Sequence, residues 1–258
     1  MNWSAVDASI LLPAFLAGVL VLATHVPLGI RVLGKGIVFI DLAIAQIAGL
    51  GVIVAGLMDI EPGGWQVQAA AAVAALAGSL LLTWTERKWP EVQEAQIGVV
   101  FVLAATGGIL LLAKNPHGGE YLRDLLAGQI LWVGYRQLAV PLAVSIVTLA
   151  VLWGWRERLP QVVFYVVFAL AVTASVQLIG VYLVFATLIV PALGSRRHPP
   201  RTRLLLAYGI GIAGYAAGLV LSSALDPPSG ALIVWCLAAL AIAAYAAGNV
   251  RRVAAAPS

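Results

Sequence analysis

Of the 258 residues, 62% are apolar and 10% are charged, and the mean hydropathy is +1.00. A globular core of this size does not absorb so much nonpolar side chain, so the composition excludes a soluble enzyme or binding domain and points to a polytopic protein in a lipid bilayer. A formal net charge of +4 and a pI near 9.5 would suit nucleic acid in a soluble protein, but here the basic residues stand between apolar blocks, where they read as topology signals and give no nucleic-acid partner.

In chain order the apolar blocks run over Ala8–Val32, Ile37–Leu57, Val67–Trp84, Ile97–Leu112, Leu138–Trp155, Val162–Ile179, Val181–Leu193, Leu204–Ala224 and Ala231–Val250. The first block is followed by eight more, so it reads as a permanent span and not a cleaved signal. The expected fold is an all-α transmembrane bundle of eight or nine helices, one domain over 1–258. The uncertain point is Gly180. The region around it is apolar for roughly thirty residues, against about 20 for one straight span, and is either one tilted helix or a hairpin.

Charge distinguishes the two, because Lys and Arg accumulate in short cytoplasmic loops. With the N-terminus outside and nine crossings, twelve basic residues fall inside, among them Lys35, Arg196, Arg197, Arg203 and the pair Arg251-Arg252. Only Lys114, Arg123 and Arg136 fall outside. Eight crossings would export the four-arginine loop and the basic tail, so nine are expected, with the seventh short and the C-terminus cytoplasmic. Tyr121 to Val133 is amphipathic and too short to span. It is expected to lie at the interface or fold back into the bundle.

The polar residues inside apolar blocks are the candidate chemistry. Asp41 and Gln46 lie in the second block. An ionisable residue in a membrane is costly unless it faces a partner, a cavity or a substrate path. At about 100° per residue the two lie about 140° apart on a helix, so they need not share a ligand. A near-interface Asp41 that caps the helix or forms a salt bridge to Arg31 or Lys35 is the structural alternative. His25, deep in the first block, is a metal ligand, a proton carrier or a hydrogen-bonded packing residue. His117 and His198 read as exposed loop residues, Glu94 as the N-terminal cap of the fourth helix, and Asp226 as part of an Asp-Pro-Pro-Ser-Gly turn.

Gly29-Ile-Arg-Val-Leu-Gly-Lys35-Gly36 matches a phosphate-binding loop except at its last position, where Gly36 replaces the magnesium-binding hydroxyl, and no strand precedes it. The single cysteine, Cys236, excludes an intramolecular disulfide. Catalytic Ser/His/Asp, H-E-x-x-H and C-x-x-C patterns do not occur, so no enzyme activity is expected of this chain.

Five blocks in order resemble the membrane permeases of bacterial zinc/manganese/iron ABC importers. They are Phe15-Leu-Ala-Gly18 through Pro27-Leu-Gly29, Glu94-Ala-Gln-Ile-Gly98, Asp124-Leu-Leu-Ala-Gly128-Gln-Ile-Leu131, the helix from Gly180 to Pro191-Ala192, and Gly218 to Gly230 with its D-x-P-x-G turn. The resemblance implies a dimeric permease of the bacterial inner membrane that carries a divalent metal ion. A separate ABC ATPase would bind the ATP, an extracytoplasmic solute-binding protein would deliver the ion, and this chain would hold no cofactor of its own.

Two departures accompany it. Where the family's second helix carries G-D-x-x-x-H, this chain has Leu42 and Gln46, with Asp41 one residue early. Gln is a weaker ligand than imidazole, which leaves open a different ion or a site rebuilt with His25. Asp41, Gln46 and His25 are therefore the expected path residues. The linker Arg156–Pro160 is also short and lacks the D-x-x-x-A-x-x-x-G helix that docks on the ATPase. Coupling would pass through it, through Thr85–Gln93 or through Ser195–Arg203. An ATPase-independent transporter or channel, and a non-transporting scaffold, are the alternatives.

Overall fold

Leu, Ala, Val and Ile blocks bounded by Gly, Pro and charged residues leave the backbone one solution in hydrocarbon, a helix that satisfies its own hydrogen bonds. The computed structural model describes residues 8–58, 60, 64–113, 115, 117–155, 159–225 and 227–254. Among these the order is α1 (Ala8–Lys35), α2 (Ile40–Leu57), α3 (Trp65–Lys88), α4 (Gln93–Leu112), α5 (Gly118–Ala127), α6 (Ala139–Gly154), α7 (Gln161–Ile179), α8 (Val181–Ser195), α9 (Pro200–Leu225) and α10 (Ser229–Ala254). Short 3₁₀ turns stand at Pro90–Val92, Ile130–Trp132 and Tyr135–Leu138. No strand occurs among the described residues. Arg156, Glu157 and Arg158 of the short linker, Lys114, and Asp226 of the Pro-Pro turn lie outside them.

Eight helices, α1 to α4, α6, α7, α9 and α10, are long and apolar enough to cross a membrane. The ninth, α8, has 15 residues and is about 22 Å long. Its direction follows from its contacts. Gly180, at its head, lies against Gly128 and Ala127, and the first turn of α10 meets the same segment through Gly230 and the Ala127 carbonyl. Near its other end, Gly194 lies against Ala241 of α10. Thus α8 runs parallel to α10 and antiparallel to α9, and α7 and α8 form the hairpin that the charge distribution favoured.

Gly180 makes the reversal possible. Its φ of +81° and ψ of 161°, like the +67° and 169° of Gly128, fall in a region essentially reserved for glycine. The two backbones touch there, and a Cβ on either residue would collide with the other's main chain. The expected interfacial segment thereby folds back into the bundle. α5 packs Leu125 on Gly49 of α2, and the 3₁₀ turn at Ile130–Trp132 buries Ile130.

α1, α8, α9 and α10 form one half of the packing, and α2, α3, α4 and α7 the other. In a bilayer helices associate through close van der Waals contact and a few hydrogen bonds. Gly18 accepts the ring of Tyr215, Gly29 meets the Leu188 carbonyl, and Gly78 takes Ile47. The Tyr208 hydroxyl donates to the Ala23 carbonyl at 3.0 Å, and Tyr215 and Thr187 pair at 2.8 Å. α7 is the most enclosed long helix, with 67% of its span buried.

Candidate functional site

His25, Asp41 and Gln46 are all buried. At His25 the Nδ1 atom lies 3.0 Å from both the Val21 carbonyl and Thr24 Oγ1. The Thr24 hydroxyl donates its one proton to the same carbonyl at 3.1 Å. A carbonyl only accepts, so Nδ1 carries the ring proton, and Nε2 is left with a free lone pair and no partner. This is the tautomer a metal-binding or proton-accepting imidazole requires.

Asp41 sits in the first turn of α2, 1% exposed, and neither carboxylate oxygen has a hydrogen-bond partner. The salt bridge considered from sequence is not formed. Arg31 instead donates to the Leu152 carbonyl at 3.4 Å, and Lys35 lies over the Phe164 ring at 5.1 Å. Gln46 is buried one turn further along α2. The three residues do not gather into one chelate: α1 packs on α8 and α9 while α2 packs on α3 and α4. Among the described residues no group of three His, Cys, Asp or Glu side chains is placed to hold a metal ion.

Two sequence expectations change. Glu94 lies in the first turn of α4 but caps no N–H there; its Oε1 accepts the Phe39 N–H at 3.4 Å, at the head of α2. The 3₁₀ turn at Pro90–Val92 feeds directly into α4, so the carboxylate is free to reach across to the neighbouring helix. His198 lies in the loop between α8 and α9 as expected but is half-buried, because α10 continues alongside and Gly248 meets its ring; its Nδ1 is buried without a partner. The residues resembling a phosphate-binding loop are the last two turns of α1, and Gly29 is used for packing on α8. His117 is exposed as expected, 3.8 Å from Glu120.

The structure adds polar features that the sequence reading passed over. At the end of the bundle where α1 and α3 finish and α4 and α7 begin, the Tyr165 hydroxyl donates to Glu86 and accepts from Gln93 Nε2 at 3.0 Å. Gln93 also reaches the Leu82 carbonyl at 3.4 Å. At the opposite end a cavity of about 600 Å³ opens between α3, α7 and the turns before α6. Gln68, Gln129, Gln137, Gln177 and Arg136 face it, with Trp65 and Trp132 at its sides. Gln177 Nε2 is buried without a partner, as is Thr173 Oγ1 one turn deeper on α7. The signal was a Thr and a Gln spaced i, i+4 in an otherwise apolar helix.

This arrangement can admit a small polar solute from one end and present it with side-chain amides and the Arg136 guanidinium. The chain matches the ABC 3 transport family over residues 7–162 and 154–248, together nearly its whole length. It belongs to that family. Among curated proteins it is similar to the high-affinity zinc uptake system membrane protein ZnuB of Haemophilus influenzae, 22% identical over 252 residues, covering 90% of this chain and 95% of that one. It is also similar to the uncharacterized membrane protein slr2045 of Synechocystis, 25% identical over 183 residues, covering 63% of this chain and 65% of the relative. Among solved structures, PsaBC from Streptococcus pneumoniae in complex with Fab has the same fold, with a TM-score of 0.75 at 18% identity over 95% of both chains. The ABC 3 membership and the eight apolar helices make this a multi-pass membrane protein of a transport family.

Proposed function

We propose that the chain is the membrane-spanning permease subunit of an ATP-driven importer of divalent metal ions, zinc, manganese or iron. The observation that carries this reading is the match to a zinc-uptake membrane protein over nearly the full length of both chains. Two buried metal-competent groups support it: the free Nε2 of His25 and the unpartnered carboxylate of Asp41. The metal is cargo, and His25, Gln46 and Asp41 line its path through the bundle. Hydrolysis of ATP belongs to a separate ATPase, as membership of the ABC 3 transport family implies. That ATPase docks at the end bearing Lys35, Thr85–Gln93 and Ser195–Arg203. A solute-binding protein delivers metal to the opposite end, two copies of the chain pair, and the N-terminus faces out and the C-terminus the cytoplasm of a bacterial inner membrane.

The test is purification of the tagged chain from its native membrane in mild detergent. A nucleotide-binding subunit with a complete G-x-x-x-x-G-K-[ST] loop should accompany it in near-equal amount, and zinc, manganese or iron should stimulate its ATP hydrolysis. An intact, folded chain that reproducibly comes alone would replace this reading with ATPase-independent transport.

A further inference from the structure

At the end of the bundle opposite Gly180, α8 and α10 part around an apolar groove of about 300 Å³. Val190, Leu193, Gly194, Ala238, Ala241 and Ile242 form its walls, and Arg196 and Tyr245 stand at its rim. Leu193 and Ile242 are 41% and 69% exposed, so the groove opens at the outer surface of the single bundle. Its rim is strongly basic. Arg196 donates to the Tyr245 hydroxyl at 3.0 Å, and the guanidinium of Arg197 lies over the same ring at 3.9 Å from its centre. One aromatic ring thus holds two like charges side by side. No carboxylate pairs with either of them among the described residues, where the one ion pair joins His117 and Glu120.

Two adjacent guanidinium groups without a counter-ion repel one another, and a phosphate between them removes that cost with bidentate geometry. An apolar trough leading away from them fits a hydrocarbon chain. Basic pockets between membrane helices are suited to acidic lipid headgroups. We propose that the groove between α8 and α10 is a binding site for an anionic phospholipid, its phosphate held by Arg196 and Arg197 and one acyl chain lying along Val190, Leu193, Ala238 and Ile242. A free phosphate would leave the trough unused, and a zwitterionic lipid would leave net positive charge at the rim. A second copy of the chain fits less well, because a twofold contact centred here would bring two arginine pairs together without a carboxylate.

The experiment is native mass spectrometry of the full-length chain in detergent, titrated in parallel with phosphatidylglycerol, phosphatidylcholine and inorganic phosphate. Phosphatidylglycerol should bind at least tenfold more tightly than phosphatidylcholine. The double substitution Arg196→Gln/Arg197→Gln should weaken it on the order of thirtyfold, and inorganic phosphate should not displace it. Ala238→Leu, which fills the trough and leaves both charges, should weaken it too, so the proposal does not rest on a single variant folding. Equal binding of the two lipids, or undiminished phosphatidylglycerol binding by both variants, would overturn it. So would displacement by inorganic phosphate, which marks a simple anion site, or loss of dimer with lipid binding intact, which marks a contact between copies.

Discussion

Replacing Gly180 by alanine tests the reversal between α7 and α8 directly. At φ +81° and ψ 161° an alanine carries backbone strain of about 1–3 kcal/mol. Its Cβ also points at the main chain of Gly128 and Ala127, which cannot rotate away as a side-chain tip would. The backbone must therefore separate, and the total cost should exceed the strain alone, at about 3–4 kcal/mol, within the range of severe single substitutions. At about 2–4 °C per kcal/mol for a chain of this size, the melting temperature in detergent should fall by roughly 6–16 °C. Gly128→Ala should cost a similar amount. Because both substitutions break one contact, the double variant should lose clearly less than the sum. Gly209→Ala is the control: a Cβ there meets nothing within 4 Å and the residue is inside α9, so it should be neutral or stabilising by about 0.5–1 kcal/mol. A Gly180→Ala protein that melts with the wild type, or strict additivity with Gly128→Ala, would refute the reversal and the backbone contact together.

Three further outcomes follow from the buried polar groups. Asp41→Asn should leave the melting temperature unchanged or raised, since an amide is cheaper to bury than an unpaired carboxylate, while metal uptake into proteoliposomes falls at least tenfold; undiminished uptake would remove Asp41 from the path. His25→Gln should raise the metal concentration giving half-maximal uptake at least tenfold by deleting the free Nε2 lone pair, and an unchanged value would make His25 a packing residue. Tyr165→Phe leaves Gln93 and Glu86 without their shared hydroxyl and should cost about 1–3 kcal/mol, read as a lowered melting temperature; Gln93→Leu combined with it should add less than its separate cost, and simple additivity would mean the three groups do not act as one network.

The spans were legible in the sequence because a bilayer imposes a length and an apolarity that any window of residues either meets or fails. The hairpin at Gly180 was legible only indirectly, through where it places the arginines. What fixes it is a contact with Gly128, and an apolar run carries no trace of a distant partner. Burial of His25, Asp41 and Gln46 could be read from their apolar neighbours, but their surroundings could not. Arg31 and Lys35, the natural partners for Asp41 by proximity in sequence, turn to Leu152 and Phe164, on α6 and α7. Glu94 was misplaced for the same reason: the N–H it satisfies belongs to Phe39, and only the packing of α4 on α2 brings the two together. Thr173 and Gln177 were overlooked because uncharged residues in an apolar helix raise little suspicion until a cavity opens beside them.

α7 links the two ends of the molecule. Its 19 residues contain neither Gly nor Pro, whereas α1 carries Pro13 and Pro27 and α8 carries Pro191. Bends concentrate at such residues, so α7 is the segment least able to absorb a displacement along its roughly 28 Å length. Its first turn is tied to α3 and α4 through Tyr165, and its last ends in the Gly180 reversal against Gly128. Gln177, facing the 600 Å³ cavity, stands less than one turn before that reversal. A rigid, enclosed bar with a hydrogen-bonded foot and a head in close backbone contact cannot tilt without disturbing both. Opening the foot and closing the head are therefore one mechanical event, which is the behaviour a permease with alternate access requires. The effects of Gly180→Ala on the cavity end and of Tyr165→Phe on the other end should accordingly be coupled, with a coupling energy well above the few tenths of a kcal/mol expected for sites this far apart. Measured independence of the two substitutions would show that α7 bends after all.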